Sequence, residues 1–128
     1  MNEEQRHARD LESLYERWIT ALWNGPADVG ELTARAETVV AGDFVGHWPD
    51  GDVRGPDGLG RLIAETKGMF TALSFTVEVP PFAGGDLVAG RWVGRGRTSE
   101  GPVEFFGNDI LRAVNGRFAE YWVASGQR

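Results

Sequence analysis

One stretch of the sequence decides the fold: Gly107-Asn108-Asp109-Ile110-Leu111-Arg112-Ala113-Val114-Asn115-Gly116-Arg117-Phe118-Ala119-Glu120-Tyr121-Trp122. Two runs rich in apolar and aromatic residues flank Asn115-Gly116, a pair typical of the two-residue turn of a β-hairpin. A two-residue turn also fixes which residues face each other, and counting outward from it places Asp109 opposite Trp122. The sequence therefore predicts an antiparallel hairpin with Asp109 and Trp122 on the same face.

The pattern before this hairpin changes from helical to strand spacing at Ser74. Apolar residues recur every three or four positions in three stretches, which are Leu11–Trp23, Val29–Val40 and Gly55–Leu73. After Ser74 apolar and polar residues alternate, and turn-forming residues separate the segments. Three helices followed by a run of antiparallel strands predict one α+β domain over residues 1–128.

Composition narrows the classes of partner and chemistry. The 128 residues include 13 Lys+Arg and 19 Asp+Glu, which give a net charge of −6 and argue against nucleic acid or a membrane surface as a partner. There is no cysteine, and the only histidines are His7 and His47, so we expect no metal and no cofactor. The polar start of the sequence lacks an apolar leader, and we expect a cytoplasmic protein.

The strand predicted at Leu87–Thr98 carries several glycines on one face. Gly90, Gly94 and Gly96 share that face with Trp92, which would leave empty volume above the strand and let the sheet curve strongly. A curved sheet beneath helices forms an apolar pocket suited to a small molecule. Curvature that serves core packing alone explains the glycines equally well.

Asp109 is the main candidate for chemistry. In the predicted register it lies among Phe105, Leu111 and Trp122, where the loss of hydration would raise its pKa. The structural alternative is a carboxylate that only bonds a neighbour at a strand end. His47 is a second candidate because its ordinary pKa suits proton transfer near neutral pH, although a lone histidine is more often structural.

The order of the elements and two segments of the chain resemble a known family. The segments are Asp43-Phe44-Val45-Gly46-His47-Trp48-Pro49 and the Gly107–Trp122 hairpin. In these residues the chain resembles the SnoaL-like polyketide cyclases, which belong to the nuclear-transport-factor-2-like superfamily with the ketosteroid isomerases and limonene epoxide hydrolase. The resemblance spans nearly the whole chain and implies a single SnoaL-like domain. The implied fold is a cone-shaped roll, with three N-terminal helices packed on a strongly curved antiparallel sheet that encloses a pocket.

The resemblance also implies roles for individual residues. Asp109 corresponds to the aspartate that acts as acid/base in SnoaL-like cyclases, and His47 falls near the segment that supplies the general base of ketosteroid isomerases. Trp92, Phe105 and Trp122 match positions that line the cavity in the family, and we expect them to bind substrate together with Tyr15, Trp48 and Thr98. Thr98 occupies the position where these cyclases usually have a histidine. This difference argues against the cyclisation of a large polyketide.

These observations predict a small enzyme with Asp109 and His47 as its catalytic residues. It would perform cofactor-free acid–base chemistry, a cyclisation or an isomerisation, on an apolar carbonyl-containing substrate of polyketide or similar type. A non-catalytic ligand-binding module and a dimeric accessory subunit are the alternatives. We also expect a homodimer through the outer face of the sheet, where the predicted register places Arg91, Ile110, Tyr121 and Val123.

Overall fold

Three α-helices cover one face of a six-stranded sheet in the computed structural model, which describes residues 1–128. The helices are α1 (Glu3–Arg17), α2 (Val29–Val39) and α3 (Gly55–Gly68), and a π-helical segment, Trp18–Trp23, continues α1. The strands are β1 (Val40–Trp48), β2 (Gly51–Arg54), β3 (Thr71–Gly84), β4 (Leu87–Thr98), β5 (Gly101–Val114) and β6 (Arg117–Gln127). The predicted α+β class, with three helices packed on a sheet, is confirmed.

The strands are ordered β2-β1-β6-β5-β4-β3 across the sheet. Neighbouring strands are antiparallel except for β1 and β6, which run parallel. The sheet is therefore mixed, whereas the sequence predicted a purely antiparallel one. Turn signals could not reveal the parallel pair because no turn joins these two strands, and parallel strands need a long connection.

The first helix begins at Glu3, before the apolar stretch that starts at Leu11, and its π-helical continuation ends at Trp23, where that stretch ends. The Asn2 side chain accepts from the Gln5 backbone N–H over 2.8 Å, and the Gln5 side chain accepts from the Asn2 N–H over 3.0 Å. This reciprocal pair satisfies two of the N–H groups that a helix start leaves open. The helix buries Leu11, Leu14 and Tyr15, and the π-helical segment then buries four more large side chains.

Trp18 lies at the centre of the core. It is fully buried and contacts three buried rings of the sheet, with centroid distances of 6.1 Å to Phe44, 6.1 Å to Phe118 and 4.8 Å to Tyr121. Phe44 belongs to β1, and the other two rings belong to β6. This aromatic cluster therefore packs the π-helical segment against β1 and β6, the two parallel strands. None of the helices is both long and apolar enough to span a bilayer.

The β5–β6 hairpin begins as the sequence predicts. Asn115 has φ 54° and Gly116 has φ 80°, so both adopt the left-handed conformation that a two-residue type I′ turn requires. Val114 pairs with Arg117 across this turn. The predicted two-residue hairpin is thus confirmed at its tip.

A β-bulge at Ala119 then changes the register. Phe118 still pairs with Ala113, but Glu120 pairs with Arg112, so Ala119 is an extra residue of β6 without a partner. One extra residue turns all later side chains of that strand to the opposite face. With the bulge, Phe118 and Tyr121 both point into the core. Glu120 lies on the outer face of the sheet, where it accepts a hydrogen bond from Arg112.

The bulge overturns the predicted position of Trp122. Asp109 pairs with Val123, and Tyr121 is the aromatic residue on the same side of the sheet as Asp109. Trp122 is 36% exposed, whereas Tyr121 is buried. The predicted register is therefore wrong beyond the second pair of the hairpin. Tyr121 and Val123, expected on the outer face, lie on the inner face.

The glycines of β4 do not leave empty space. A Cβ on Gly90 would lie 2.7 Å from Cζ of Tyr15, and a Cβ on Gly94 would lie 2.7 Å from Cζ of Phe105. The absence of a side chain lets each ring lie directly on the strand. The volume that the sequence predicted to be empty is therefore filled by aromatic rings.

Candidate functional site

A single carboxylate is buried inside the domain. Asp109, in β5, is 1% exposed and is the one buried charged residue of the chain. The hydroxyl of Tyr15 donates to its Oδ2 over 3.0 Å, and the hydroxyl of Tyr121 donates to its Oδ1 over 2.6 Å. Since Tyr15 belongs to α1 and Tyr121 to β6, the helical layer and the sheet each supply one donor.

Two indole groups complete the surroundings of Asp109. The N–H groups of Trp92 and Trp18 favour the ionised carboxylate. Trp18 Nε1 is buried and makes no hydrogen bond of normal geometry, so its influence on Asp109 is electrostatic. Asp109 takes part in no salt bridge. The carboxylate is thus surrounded by polar groups that carry no positive charge.

Burial governs the pKa of Asp109. Loss of hydration raises this pKa from the ordinary 3.8 to about 6, and the hydrogen bonds from Tyr121 and Tyr15, together with the indole N–H groups of Trp92 and Trp18, act in the opposite direction. Burial and the neighbouring carboxylate raise the pKa values of Tyr15 and Tyr121, so both hydroxyls stay protonated near neutral pH. A carboxyl group with such a pKa can both accept and release a proton under physiological conditions.

An aromatic cavity of about 140 Å³ adjoins this group. Its lining is mostly aromatic and comprises Trp23, Trp48, Thr66, Phe75, Trp92, Phe105, Tyr121, Val123 and Ser125. An apolar cavity of roughly 150 Å³ holds a molecule about as large as benzene. The cavity therefore has room for a small organic molecule.

Tyr121 connects the cavity to the buried carboxylate. Tyr121 and Trp92 belong to the cavity lining and also act on Asp109, whereas Asp109 itself does not line the cavity. A molecule in the cavity meets the Tyr121 side chain, whose hydroxyl bonds Asp109. The arrangement allows a proton or a charge in the cavity to be coupled to Asp109 through one side chain.

The residues expected to bind substrate are only partly brought together. Trp48, Trp92 and Phe105 line the cavity. Tyr15 does not line it and instead bonds Asp109.

Trp122 and Thr98 lie away from the cavity. Trp122 is on the outer face of the sheet, where its ring stacks on His47 with a centroid distance of 5.7 Å. Thr98 is exposed at the end of β4, beside a separate surface depression that includes Phe70 and Arg97. The structure therefore groups neither of these two residues with Asp109.

His47 also lies on the outer face, at the edge formed by β1 and β2. Its Nδ1 is 2.9 Å from Asp52 Oδ1, and its Nε2 is 2.6 Å from Glu120 Oε2. The hydrogen bonds to Glu120 and Asp52 raise the pKa of His47, which favours the imidazolium form. Asp109 points to the opposite side of the sheet. The structure does not bring the two predicted catalytic residues together.

Sequence reasoning missed Tyr121, Trp23 and Phe75 as residues around the site. A signal for Tyr121 was present, because Phe118 and Tyr121 are three residues apart and a regular strand cannot bury both on one face. Trp23 and Phe75 belong to the apolar patterns of their segments, and nothing in those patterns marks a residue as cavity-lining.

The remaining features of the surface offer no comparable site. No three side chains of His, Asp or Glu gather into a group that could hold a metal ion. A surface groove of about 430 Å³ lies between α1 and the β5–β6 turn and is bordered by His7, Asp10 and Arg17. It is larger than the aromatic cavity but contains none of the groups around Asp109.

Comparison with known families agrees with this architecture. The family described as the SnoaL-like domain matches residues 15–121. The chain belongs to this family. The matched region of the SnoaL-like domain runs from Tyr15 to Tyr121, the two residues that bond Asp109, and the predicted family is confirmed.

Solved structures share the fold of this SnoaL-like domain. A protein of Jannaschia sp. CCS1 assigned as a SnoaL-like polyketide cyclase has a TM-score of 0.80 and 15% identity, with 98% of this chain and 89% of that chain covered. A protein of Catenulispora acidiphila DSM 44928 with a ketosteroid isomerase-like fold, solved in complex with trimethylamine, has a TM-score of 0.73 and 18% identity over 87% and 83% of the two chains.

A third similar structure belongs to an enzyme of another kind. The LEH-like epoxide hydrolase of M. tuberculosis has a TM-score of 0.69 and 17% identity, with 94% of this chain and 85% of that chain covered. These likenesses show the fold of the SnoaL-like domain, and they do not select one reaction. No curated protein sequence matches the chain.

Proposed function

We propose that this SnoaL-like domain is an enzyme that performs cofactor-free acid–base chemistry on a small, apolar, carbonyl-containing molecule, by isomerisation or cyclisation. One observation carries the proposal: the only buried charged group, Asp109, lies behind an aromatic cavity and bonds a residue of its lining, Tyr121. A carboxyl group in an apolar setting beside a cavity is the usual arrangement of an acid/base residue.

Asp109 and Tyr121 would move the proton together. A substrate in the cavity loses a proton from the carbon next to its carbonyl group to the Tyr121 oxygen, while the Tyr121 hydroxyl proton passes to the Asp109 carboxylate. The C–H bond of the substrate and the O–H bond of Tyr121 break, a new O–H bond forms on Tyr121 and one on Asp109, and the electron pair stays on the substrate as an enolate. Return of the proton from Asp109 through Tyr121 to another carbon completes an isomerisation. In a cyclisation the enolate attacks a second carbonyl, and the same proton returns through Tyr121 to the alkoxide that forms.

The size of the cavity limits the substrate. Pockets that hold drug-sized ligands have volumes of roughly 300–1,000 Å³, whereas this cavity measures about 140 Å³. A substrate of about the size of benzene fits, and a polyketide of several rings does not. The proposal therefore concerns small carbonyl compounds.

Exchange of protons next to a carbonyl group tests the proposal. We expect the protein to accelerate deuterium incorporation into cyclopentanone in D2O, followed by proton NMR. Because general acid–base catalysis contributes about 10²–10⁴-fold, Asp109→Asn should lower the rate at least about 100-fold. Asp43→Asn, which makes the same change at an exposed position, should keep the wild-type rate.

His47→Ala tests whether His47 takes part in the reaction, as the sequence predicts, or not, as its position on the outer face indicates. Because His47 is bonded to Asp52 and Glu120 on the outer face, we expect this variant to retain the exchange rate within about twofold. An exchange rate no faster than buffer, or a folded Asp109→Asn variant as active as the wild type, would contradict the catalytic proposal.

A non-catalytic ligand-binding module is the second candidate. It is favoured by the observation that both carboxylate oxygens of Asp109 are already bonded and that Asp109 does not line the cavity. In that case cyclopentanone would shift the indole N–H resonances of the cavity tryptophans without any deuterium exchange.

We further propose a homodimer through the outer face of the sheet. Ile110 and Trp122 pair across β5 and β6, and they are 46% and 36% exposed on this face. Sedimentation at micromolar concentration should give a dimer, and Ile110→Lys should raise its dissociation constant at least about tenfold. The same change at Val29, which is 44% exposed on a helix, should leave the dimer intact. A wild-type species of 14.0 kDa alone would contradict the dimer.

A further inference from the structure

The buried carboxylate of Asp109 lacks a counter-charge. Its polar neighbours are Tyr15 from α1, Trp18 from the π-helical segment, Trp92 from β4 and Tyr121 from β6. The two tyrosines are the only titratable groups among them, and both stay neutral because their pKa values are raised. A buried charge is normally paired with an opposite charge. The ionised form of Asp109 therefore has no positively charged side chain beside it.

The cavity beside this anion has walls of aromatic rings. Phe75, Trp92 and Phe105 stand nearly perpendicular to one another, with interplanar angles of 81°, 86° and 86° and centroid distances of 5.1, 5.6 and 6.1 Å. Trp48 and Tyr121, 4.9 Å apart between centroids, add two further rings. The face of an aromatic ring carries negative electrostatic potential and attracts cations.

We propose that the aromatic cavity binds a small methylated ammonium ion, such as tetramethylammonium or trimethylammonium, whose positive charge complements the ring faces and the Asp109 carboxylate. The proposal concerns the same cavity as the proposed function but does not depend on its catalytic claim. The volume of about 140 Å³ suits such an ion, since a cavity of similar size holds benzene. Aromatic cages of this kind recognise quaternary ammonium groups in other proteins.

The polar groups of the lining favour this class of cation over others. Thr66 and Ser125 supply the only aliphatic hydroxyl groups of the lining, and the Thr66 hydroxyl donates to the Leu62 carbonyl over 2.9 Å. A metal ion of the Ca²⁺ or Mg²⁺ type requires about six oxygen ligands, which the cavity does not offer. A methylated ammonium ion needs few or no hydrogen-bond acceptors because methyl groups surround its charge.

Titration with tetramethylammonium chloride tests the proposal, with tert-butanol as a neutral molecule of the same number of heavy atoms and sodium chloride as the ionic control. Binding is followed by the indole N–H resonances in NMR spectra. At pH 8 we expect tetramethylammonium to bind at least about tenfold more tightly than tert-butanol. At pH 5 its affinity should be about tenfold lower, because only a small fraction of Asp109 is then ionised. Equal affinities for the two molecules at pH 8 would overturn the proposal.

Two variants separate the contributions of the charge and of the rings. Asp109→Asn should abolish the preference for tetramethylammonium and its pH dependence, whereas Asp43→Asn should change neither. Phe105→Leu keeps an apolar side chain in the cavity wall but removes a ring. It should lower the affinity for tetramethylammonium at least about threefold more than the affinity for tert-butanol. Phe82→Leu, at a position 63% exposed, is the control for this variant. Deuterium exchange without tetramethylammonium binding would overturn this inference and leave the proposed function standing.

Discussion

Replacing Asp109 by asparagine is expected to stabilise the folded protein at pH 7. Burial raises the pKa of Asp109 to about 6 from 3.8, so ionisation is less favourable in the folded state than in the unfolded state. This difference corresponds to about 3 kcal/mol of lost stability at pH values above 6. The asparagine variant cannot ionise, and its free energy of unfolding should therefore exceed that of the wild type by up to about 3 kcal/mol.

The dependence on pH distinguishes this effect from ordinary packing. A pKa that is raised on folding stabilises the folded state fully below about pH 4, and this contribution is lost as the pH rises through 6. Urea unfolding of both proteins from pH 4 to pH 8 should give similar stabilities at pH 4 and a growing advantage for Asp109→Asn above it. A variant that is less stable than the wild type at pH 7 would show that Asp109 is a structural hydrogen-bond acceptor.

Replacing Gly90 by alanine is expected to destabilise the protein and to raise the pKa of Asp109. The added Cβ of Gly90→Ala would lie 2.7 Å from Cζ and 3.0 Å from the hydroxyl oxygen of Tyr15. Tyr15 is fully buried, so overpacking should lower the stability by about 1–3 kcal/mol. Displacement of the Tyr15 hydroxyl from Asp109 should also raise the pKa of Asp109 further, because that hydrogen bond lowers it.

A matched glycine provides the control for this prediction. A Cβ on Gly84 meets no atom within 4 Å, so Gly84→Ala should change the stability by less than about 1 kcal/mol. Urea unfolding measures both variants, and carboxyl NMR measures the pKa of Asp109 in Gly90→Ala. Equal stabilities of the two variants would mean that the Tyr15 ring does not lie against β4.

Much of the fold could be predicted because its signals are local. Apolar spacing revealed the three helices, and Asn115-Gly116 revealed the hairpin turn, since each depends on residues only a few positions apart. The direction of β1 relative to β6 could not be predicted in this way. No turn connects these strands, and their pairing depends on contacts between residues that lie far apart in the sequence.

The candidate site was predicted in part, since Asp109 is buried and Trp48, Trp92 and Phe105 line the cavity beside it. Asp109 was identified because a carboxylate within an apolar strand is unusual, and it is buried as expected. One predicted neighbour of Asp109, Trp122, was wrong because Ala119 forms a bulge, which exchanges Trp122 for Tyr121 on the inner face. Regular alternation cannot reveal a bulge, although burial of both Phe118 and Tyr121 requires one.

The side chains that cover the glycines of β4 could not be predicted from the pattern of that strand alone. Glycines on a strand face show that side chains are absent there, but they do not show what approaches from elsewhere. Tyr15 comes from α1 to cover Gly90, and such a contact depends on the tertiary packing of distant segments. Aromatic rings therefore occupy the space above Gly90 and Gly94 that the glycine pattern predicts to be empty.

Titration of the Asp109 carboxyl group by carbon-13 NMR measures whether its pKa is raised, with the Asp109→Asn spectrum used to assign its resonance. We expect an apparent pKa of about 6, well above the ordinary 3.8, and a lower value when tetramethylammonium is bound, because a cation stabilises the ionised form. An apparent pKa near 4 that tetramethylammonium leaves unchanged would show that Asp109 is an ordinary structural carboxylate, neither an acid/base group nor part of a cation site.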